Sequence, residues 1–425
     1  MPSKTNNKNT IIFVEPLAFN VPLPDDYIEY NHHKLLLVDS NQKHEFNKEL
    51  YDEIISGDLR TRQGIEEISK NISSELNICA VVGFSENSVI PTAILAEIFG
   101  VQGIGLETAK KCRNKYLMAE SFRTKHVSAP KYFITKKSSD ISEKITEIGG
   151  YPVICKPLLG YASNNVIRAN NADEVNRAIH KIKISNKFIM NSLYKFEESS
   201  YISSVLIQQF IPGDEVAVDG FVENKSVKIL SIIDKPDISN GPYFPDKTHI
   251  LPSKINENLQ EKIKIEVDKC INALGLNNTP FHVEARVHNG NIYIIELGAR
   301  VGFPSCLYYA KGINIFNLVL DQKLGRPVNY NSKWNLFAGN YCISPNKSGY
   351  FSDLQHVDQV RKNPVIVDIP IFATKGQRVT SNADSNSYVG FVLARGNDYD
   401  EVLKTLFQAK EKLVVNVDQT NSLNE

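Results

Sequence analysis

The sequence predicts a mixed α/β and α+β architecture: an open parallel α/β sheet at the N-terminus, then units with antiparallel strands. Three observations lead there. The chain has 425 residues, more than one hydrophobic core accommodates, so about two to four domains are expected. Roughly its first hundred residues alternate apolar runs with stretches of helical periodicity, the pattern of parallel strands joined by helices. From about residue 131 the apolar runs are joined by short turns instead, the pattern of hairpins.

"TIIFVEP", "KLLLVDS" and "NICAVVGFS" read as buried strands. Gln63 to Glu75 reads as a helix, because Ile65, Ile68 and Ile72 recur near helical spacing. "VIPTAILAEIFG" reads as a helix closed by Gly100. Residues 110 to 128 read as one helix, with Pro130 as its stop. Then come the strand-like runs "PVICKPLLG", "VLIQQFIPG", "EVAVDGFVENKSVKILSIID" and "FHVEARVHNGNIYIIEL". "NENLQEKIKIEVDKCINALG" is an amphipathic helix with Gly275 as its stop, and Lys311 to Leu324 is another helix. After Pro327 a third unit ends in the helix "EVLKTLFQAKEKL". There is no internal repeat. The polar start, MPSKTNNKN, and the tail from Asp418 read as frayed ends.

Composition narrows the function class. Basic and acidic residues number 48 each, so the formal net charge is zero and no electrostatic footprint for nucleic acid or an anionic membrane is expected. Cys79, Cys112, Cys155, Cys270, Cys306 and Cys342 are scattered, without CxxC pairs or metal-ligand spacing to histidine. They read as free thiols of a cytoplasmic protein. No stretch has the apolar length of a membrane span, and the N-terminus lacks the apolar core of a signal peptide.

Four stretches carry chemistry. In "FHVEARVHNGNIYIIEL", Glu284 and Glu296 lie on strands joined across "HNG". A two-residue Asn289-Gly290 loop pairs His288 with Asn291 and puts the two acids on opposite faces. A three-residue loop pairs Val287 with Asn291. Glu284 then faces Ile294, with Glu296 its diagonal neighbour on the same face. Gly290 suits the left-handed position of the longer loop, which is the expected one. Two adjacent carboxylates need neutralising, either by a hard cation such as Mg²⁺ or by Arg286 and His282 on the same face. In "PVICKPLLGYASNNV", Lys156 ends an apolar strand beside a small, polar loop, where it meets a phosphate or simply snorkels at a strand edge. The loop lacks the GKS/T end of a Walker P-loop. "VLIQQFIPGDE" breaks at Pro212-Gly213 and leaves Glu215 just past the turn: an apolar slot with backbone polar groups for a base and a carboxylate for ribose, or a plain strand–turn–strand. In "CRNKYLMAESF", Lys115 sits on a helix already rich in Lys110, Lys111 and Arg113, as on any solvated face.

In their order along the chain, from Lys115 through Lys156 and Glu215 to Glu284 and Glu296, and at their separations, the four stretches resemble the ATP-grasp superfamily of carboxylate–amine ligases. Within it, "IIDKP…THILPS" (Ile232 to Ser253) and the pair Glu296…Arg300 look most like the L-amino-acid ligases, the dipeptide-forming group. The resemblance spans roughly residues 75 to 330. It implies an N-terminal α/β domain over 1–109 and an ATP-grasp core of two α+β subdomains over 110–330, with a lid at about 131–205. A small C-terminal α+β domain would occupy 331–425. Carried over by position, Lys115 and Lys156 would hold the ATP phosphates under a flap containing Ser163. Gln208 would meet the adenine, with the backbone of Gln209 to Ile211 beside it, and Glu215 the ribose. Glu284 and Glu296 would hold Mg²⁺, with Mn²⁺ the alternative. Arg300 would be catalytic, gripping the substrate carboxylate or acyl phosphate, and His249 would lie near the amino-acid pocket. The implied partners are a carboxylate and an amine, in particular amino acids, and a second copy of the chain in a homodimer.

Several positions depart from the pattern. Asn114 replaces the usual aspartate before the helix lysine, and Asn164-Asn165 stand where the flap usually has glycine. Gln208 replaces the hinge glutamate. Gly298 replaces a metal-binding asparagine, leaving room for substrate, and Gly302-Phe303 follows Arg300. Substrate walls are expected from Asn240 to Thr248 and from Phe303 to Tyr309. A serine-hydrolase reading fails for lack of G-x-S-x-G. The remaining alternatives are an ATP-grasp ligase for a non-amino-acid carboxylate and a nucleotide-binding protein without turnover.

Overall fold

The structure is a computed structural model describing residues 9–16, 31–40, 46–136, 141–192, 196, 199–237, 241–302, 305–330, 336–381 and 388–419. Most of both expected frayed ends, together with Asn240, Phe303 and Pro304, lies outside these residues. The first four strands are β1 (Asn9–Val14), β2 (His33–Asp39), β3 (Glu53–Gly57) and β4 (Asn77–Val82). They form an all-parallel sheet in the order β3-β2-β1-β4, the open sheet expected from the alternation. In β1, Ile12 and Val14 point into one core while Ile11 and Phe13 point into another. Both faces are therefore covered, which is why the run reads as continuously apolar. The short, half-exposed β3 has too little apolar character to register in sequence.

Helix Val89–Phe99 is capped by Gly100 at φ 63°, as expected. The single helix expected over 110–128 is instead two, Leu106–Arg113 and Lys115–Thr124. Asn114 breaks it, with an extended backbone and a side-chain oxygen that accepts from the N–H groups of Tyr116 (3.0 Å) and Leu117 (3.3 Å). The helix is interrupted because an asparagine can replace the missing carbonyls at an N-cap.

The next strands are β5 (Tyr132–Thr135), β6 (Val153–Pro157), β7 (Ile167–Ala169) and β8 (Val205–Gln209). They form an antiparallel sheet in the order β5-β8-β6-β7, around a core of its own that includes Val153, Cys155, Ile179 and Ile207. After it come β9 (Asp214–Glu223), β10 (Ser226–Asp234), β11 (Thr248–Leu251), β12 (Thr279–His288) and β13 (Asn291–Gly298). The last part of the chain adds β14 (Phe337–Ile343), β15 (Gly349–Gln355), β16 (Ile366–Asp368), β17 (Arg378–Val379), β18 (Gly390–Gly396) and β19 (Val414–Asp418). An eight-stranded sheet runs β13-β12-β9-β10-β11-β14-β18-β16, so strands from the last part continue the central sheet across the β11–β14 pair. A separate three-stranded sheet has the order β17-β15-β19. The six cysteines are free thiols. No helix among the described residues is long and apolar enough to cross a membrane.

The turn from the small sheet into β9 passes through Gly213, at φ 102°. A side chain there would overlap the Val287 carbonyl oxygen of the neighbouring β12. Gly213→Ala is expected to cost about 2 kcal/mol or more, from backbone strain and overlap together, read as a lower urea midpoint with an unchanged slope.

Candidate functional site

A cavity of about 480 Å³ opens between the four-stranded antiparallel sheet and the central sheet, bounded also by the loop after β4. Residues from all parts of the chain line it, among them Glu86, Lys156, Gln208, Glu296, Arg300 and Phe391.

The two acids of the β12–β13 hairpin share a face, but not by the expected route. The turn is the two-residue Asn289-Gly290 loop, with His288 opposite Asn291 and Ala285 opposite Ile294. Both turn residues have positive φ, 50° and 74°, the signature of a tight hairpin turn. The three-residue loop, the Val287–Asn291 pair and the Glu284–Ile294 pair are thus corrected. A uniform ladder would place the acids on opposite faces. The register instead shifts between Glu284 and Ala285, leaving Ile295 as an extra residue on β13 and setting Glu284 directly across from Glu296. A β-bulge reverses side-chain parity, and here it returns Glu296 to the face of Glu284.

Lys115 reaches this face from the start of its helix, its Nζ 2.7 Å from Glu296 Oε1 and 3.0 Å from the Gly160 carbonyl oxygen. Its backbone N–H donates to Leu158 O at 2.9 Å, which ties the helix start to the loop after β6. Lys156, on β6, is 4% exposed and has no hydrogen-bond or ion-pair partner among the described residues. Burial pulls its pKa down to about 8, against the pull of Glu296 and with the repulsion of Lys115. The loop from β6 to β7 turns through three left-handed residues, Ala162, Ser163 and Asn165. The side-chain amide of Asn165 anchors it to Ser185 at 2.8 Å.

Gln208 is buried at the end of β8, beside Gln209. The Ile211 carbonyl accepts from Arg286 at 3.1 Å, and Arg286 Nε also meets Glu215 at 3.1 Å. Glu215 therefore enters the cavity already fixed on one side. On the other it meets Lys235, which lies within "IIDKP" with no local signal that marks it as part of a site. The buried Lys235 ammonium contacts Glu215 and Asp246 and lies 3.4 Å from Glu284. Glu215, Asp246 and Glu284 place carboxylate oxygens within 4.8 Å of one another. Burial disfavours charge on Asp246, Glu284 and Lys235. The ammonium nonetheless holds Glu284 well below the usual carboxylate range, and is itself held well above the usual lysine range. Asp246 rises to about 6, because burial and its acidic neighbours outweigh the lysine.

Arg300 lies beyond the end of β13, not on the strand, and is gripped from the N-terminal part. Its Nε donates to Glu86 Oε2 at 2.6 Å, and the other oxygen of Glu86 meets the buried Arg113. Burial would raise the Glu86 pKa, but Arg113, Arg300 and Lys115 bring it down to about 2. A Cβ on Gly298 would sit 3.2 Å from both the Arg300 guanidinium carbon and Glu86 Oε2. Gly298 thus lines the cavity directly against the Arg300–Glu86 pair, and a side chain there would press on it. Neither Glu86 nor Arg113 was foreseen: "GFSENS" has no periodicity or spacing that points at Arg300.

Two histidines complete the floor. His249 is buried, with Nδ1 3.1 Å from Asn340 Oδ1, and burial helped by Lys235 and His282 pulls its pKa down to about 3. His282 Nδ1 lies 2.6 Å from Asp219 Oδ1, whose other oxygen accepts from Tyr308 OH at 2.9 Å. Gly302 closes on this pair, since any Cβ there would overlap the imidazole. Burial opposes the charge on His282, but Asp219 raises its pKa to about 9. A raised base stabilises the fold fully below the unfolded value of about 6.5 and loses that contribution as pH rises through 9. The stability advantage of the native protein over His282→Gln should therefore shrink steadily from pH 6.5 to 9 in paired thermal melts. A constant difference would show that the imidazole stays neutral.

The chain is similar to known proteins in sequence and in fold. Residues 149–306 match the ATP-grasp domain, and residues 342–418 match the L-amino acid ligase C-terminal domain 2. The alanine–anticapsin ligase of Bacillus subtilis (strain 168) is 25% identical over 274 residues, 60% of this chain and 56% of that protein. The L-arginine-specific L-amino acid ligase of Bacillus subtilis is 20% identical over 350 residues, 81% of this chain and 82% of that protein. The crystal structure of an L-amino acid ligase from Bacillus licheniformis superposes with a TM-score of 0.84 at 22% identity, covering 97% of this chain and 99% of that one. The chain spans 56–65% of the length of several of the curated relatives it matches, the alanine–anticapsin ligase among them.

Proposed function

We propose that this chain, which belongs to the ATP-grasp superfamily and carries the L-amino acid ligase C-terminal domain 2, joins an amino-acid carboxylate to an amine at the expense of ATP. The carboxylate attacks the γ-phosphate to give an acyl phosphate and ADP. The amine then attacks the acyl carbon, giving an amide and phosphate. The observation that carries this reading is Lys156: a buried ammonium with no ion-pair or hydrogen-bond partner among the described residues, lining the cavity next to Lys115. A site held this way is prepared for an anion.

Phosphoryl transfer depends on positioning and charge neutralisation rather than on covalent help from the protein. Lys115 and Lys156 supply charge to the phosphates, and the loop through Ser163 folds over them. Gln208, with the backbone of Gln209 and Ile211, faces the adenine, and Glu215 faces the ribose. Arg300, held rigid by Glu86, takes the reacting carboxylate and then the acyl phosphate. His249 lies at the amino-acid side. Glu284 and Glu296 fit a hard divalent cation. They are oxygen donors from directly paired positions, and each has one carboxylate oxygen outside the ion pairs among the described residues. Bound there, Mg²⁺ would neutralise charge on the phosphate oxygens.

Incubation with ATP, Mg²⁺ and an array of amino-acid pairs tests the proposal. ADP, phosphate and an amide in equal amounts are expected. AMP and pyrophosphate would overturn the acyl-phosphate route. ATP binding in calorimetry, with no ADP release from any acid and amine, would instead favour a nucleotide-binding protein without turnover.

A further inference from the structure

The cavity extends beyond the groups assigned above into a wall of aromatic rings. Phe84 comes from the loop after β4, two residues before Glu86, and Val301 directly follows Arg300. Phe372, Tyr388 and Phe391 come from the C-terminal part of the chain. These five share one apolar cluster, Phe372 being packed on its edge, with Phe372 and Phe391 ring centroids 5.0 Å apart. The Tyr388 hydroxyl donates to the Asp246 carbonyl, so its polar end is used and its ring remains as wall.

The charged groups of the same cavity are already engaged. Five carboxylates line it, and each has a basic partner: Glu86 with Arg113 and Arg300, Glu215 with Lys235 and Arg286, Asp246 and Glu284 with Lys235, and Glu296 with Lys115. A basic substrate side chain would have to break one of these pairs. Among the described residues, Lys156 is the lining lysine or arginine without a carboxylate partner. It sits beside the Gly160 loop, where an acidic side chain would compete with the phosphates.

Resting on the ligase reading above, we propose that the amino acid bound beside Arg300 has an uncharged apolar or aromatic side chain, received by Phe84, Val301, Phe372, Tyr388 and Phe391. The C-terminal part then helps to choose the substrate, because three of the five wall residues belong to it.

ADP release measured with leucine, methionine, phenylalanine, lysine, arginine, aspartate and glutamate tests this. The three apolar amino acids should give kcat/KM at least about tenfold above the charged ones, as expected when a charged side chain must be desolvated. Phe372→Ala should raise the KM for leucine about tenfold while leaving the KM for ATP in place. Phe84→Leu, a milder change, should do so to a lesser degree. Turnover that prefers charged amino acids, or a Phe372→Ala enzyme with unaltered leucine KM, would overturn the inference while the ligase reading stands. If no amino acid releases ADP, the ligase reading fails. Calorimetry of the same amino acids against the ADP-bound protein then decides the inference separately, with equal or tighter binding of the charged set counting against it.

Discussion

Lys156→Met is expected to lower kcat/KM for ATP-dependent turnover by about 10²–10³-fold, the scale of losing one preorganised charge at a reacting phosphate. The fold should survive. Lys156 has no carboxylate partner among the described residues, so its removal strands no opposite charge. Its depressed pKa of about 8 means that burial makes the ammonium costly in the empty protein. Methionine keeps most of the buried stem without the charge, so the melting temperature should stay level or rise. ATP affinity from calorimetry and ADP release should fall together. Undiminished ATP affinity in a folded Lys156→Met protein would remove the phosphate role from this lysine, and with it the main support for the proposed reaction.

Lys235→Met should act on the opposite quantity. The Lys235 ammonium stands among Glu215, Asp246 and Glu284, all largely buried. Removing one partner from a buried ionic cluster costs about 3–5 kcal/mol, here chiefly because Asp246 is left buried without a basic partner among the described residues, while Glu215 keeps Arg286 and Glu284 keeps His282. The loss should appear as a large drop in denaturant midpoint. A second change, Asp246→Asn, removes that stranded charge and should recover part of the loss. Non-additivity of that sign is the mark of direct coupling. If the double variant is less stable than Lys235→Met alone, the lysine does not serve to neutralise these acids.

The two variants separate what could be read along the chain from what could not. Lys156 was legible because an apolar run that ends in lysine–proline and a polar loop is a local pattern. Glu215 was legible for the same reason, lying just past the Pro212-Gly213 turn, and Glu284 and Glu296 as two acids on strand-like runs joined by "HNG". Lys235 lay in a quoted stretch, yet nothing local shows that three carboxylates from β9, β12 and the segment before β11 converge on it. Glu86 and Arg113 are 214 and 187 positions from Arg300, and only packing of the N-terminal sheet against the central one brings the three together.

The hairpin shows most directly where sequence reasoning stopped. The spacing of Glu284 and Glu296 allows either face relation, and along the sequence only the length of the turn distinguishes them. The turn proved shorter than expected, and an unpaired Ile295 restored the shared face. Bulges are set by sheet curvature and neighbouring strands, which no window of sequence contains.

By itself the sequence determined the parallel N-terminal sheet, the antiparallel character after about residue 131, and the order of the acid and lysine motifs along the chain. Each of these rests on periodicity or turn chemistry within a few residues. The tertiary structure alone decided which charges neutralise one another, which buried lysine has no carboxylate partner among the described residues, and that aromatic rings from distant parts of the chain line one cavity together. Those outcomes depend on burial and on distances between distant segments, and charge in a low-dielectric cavity is governed by its neighbours in space rather than in sequence.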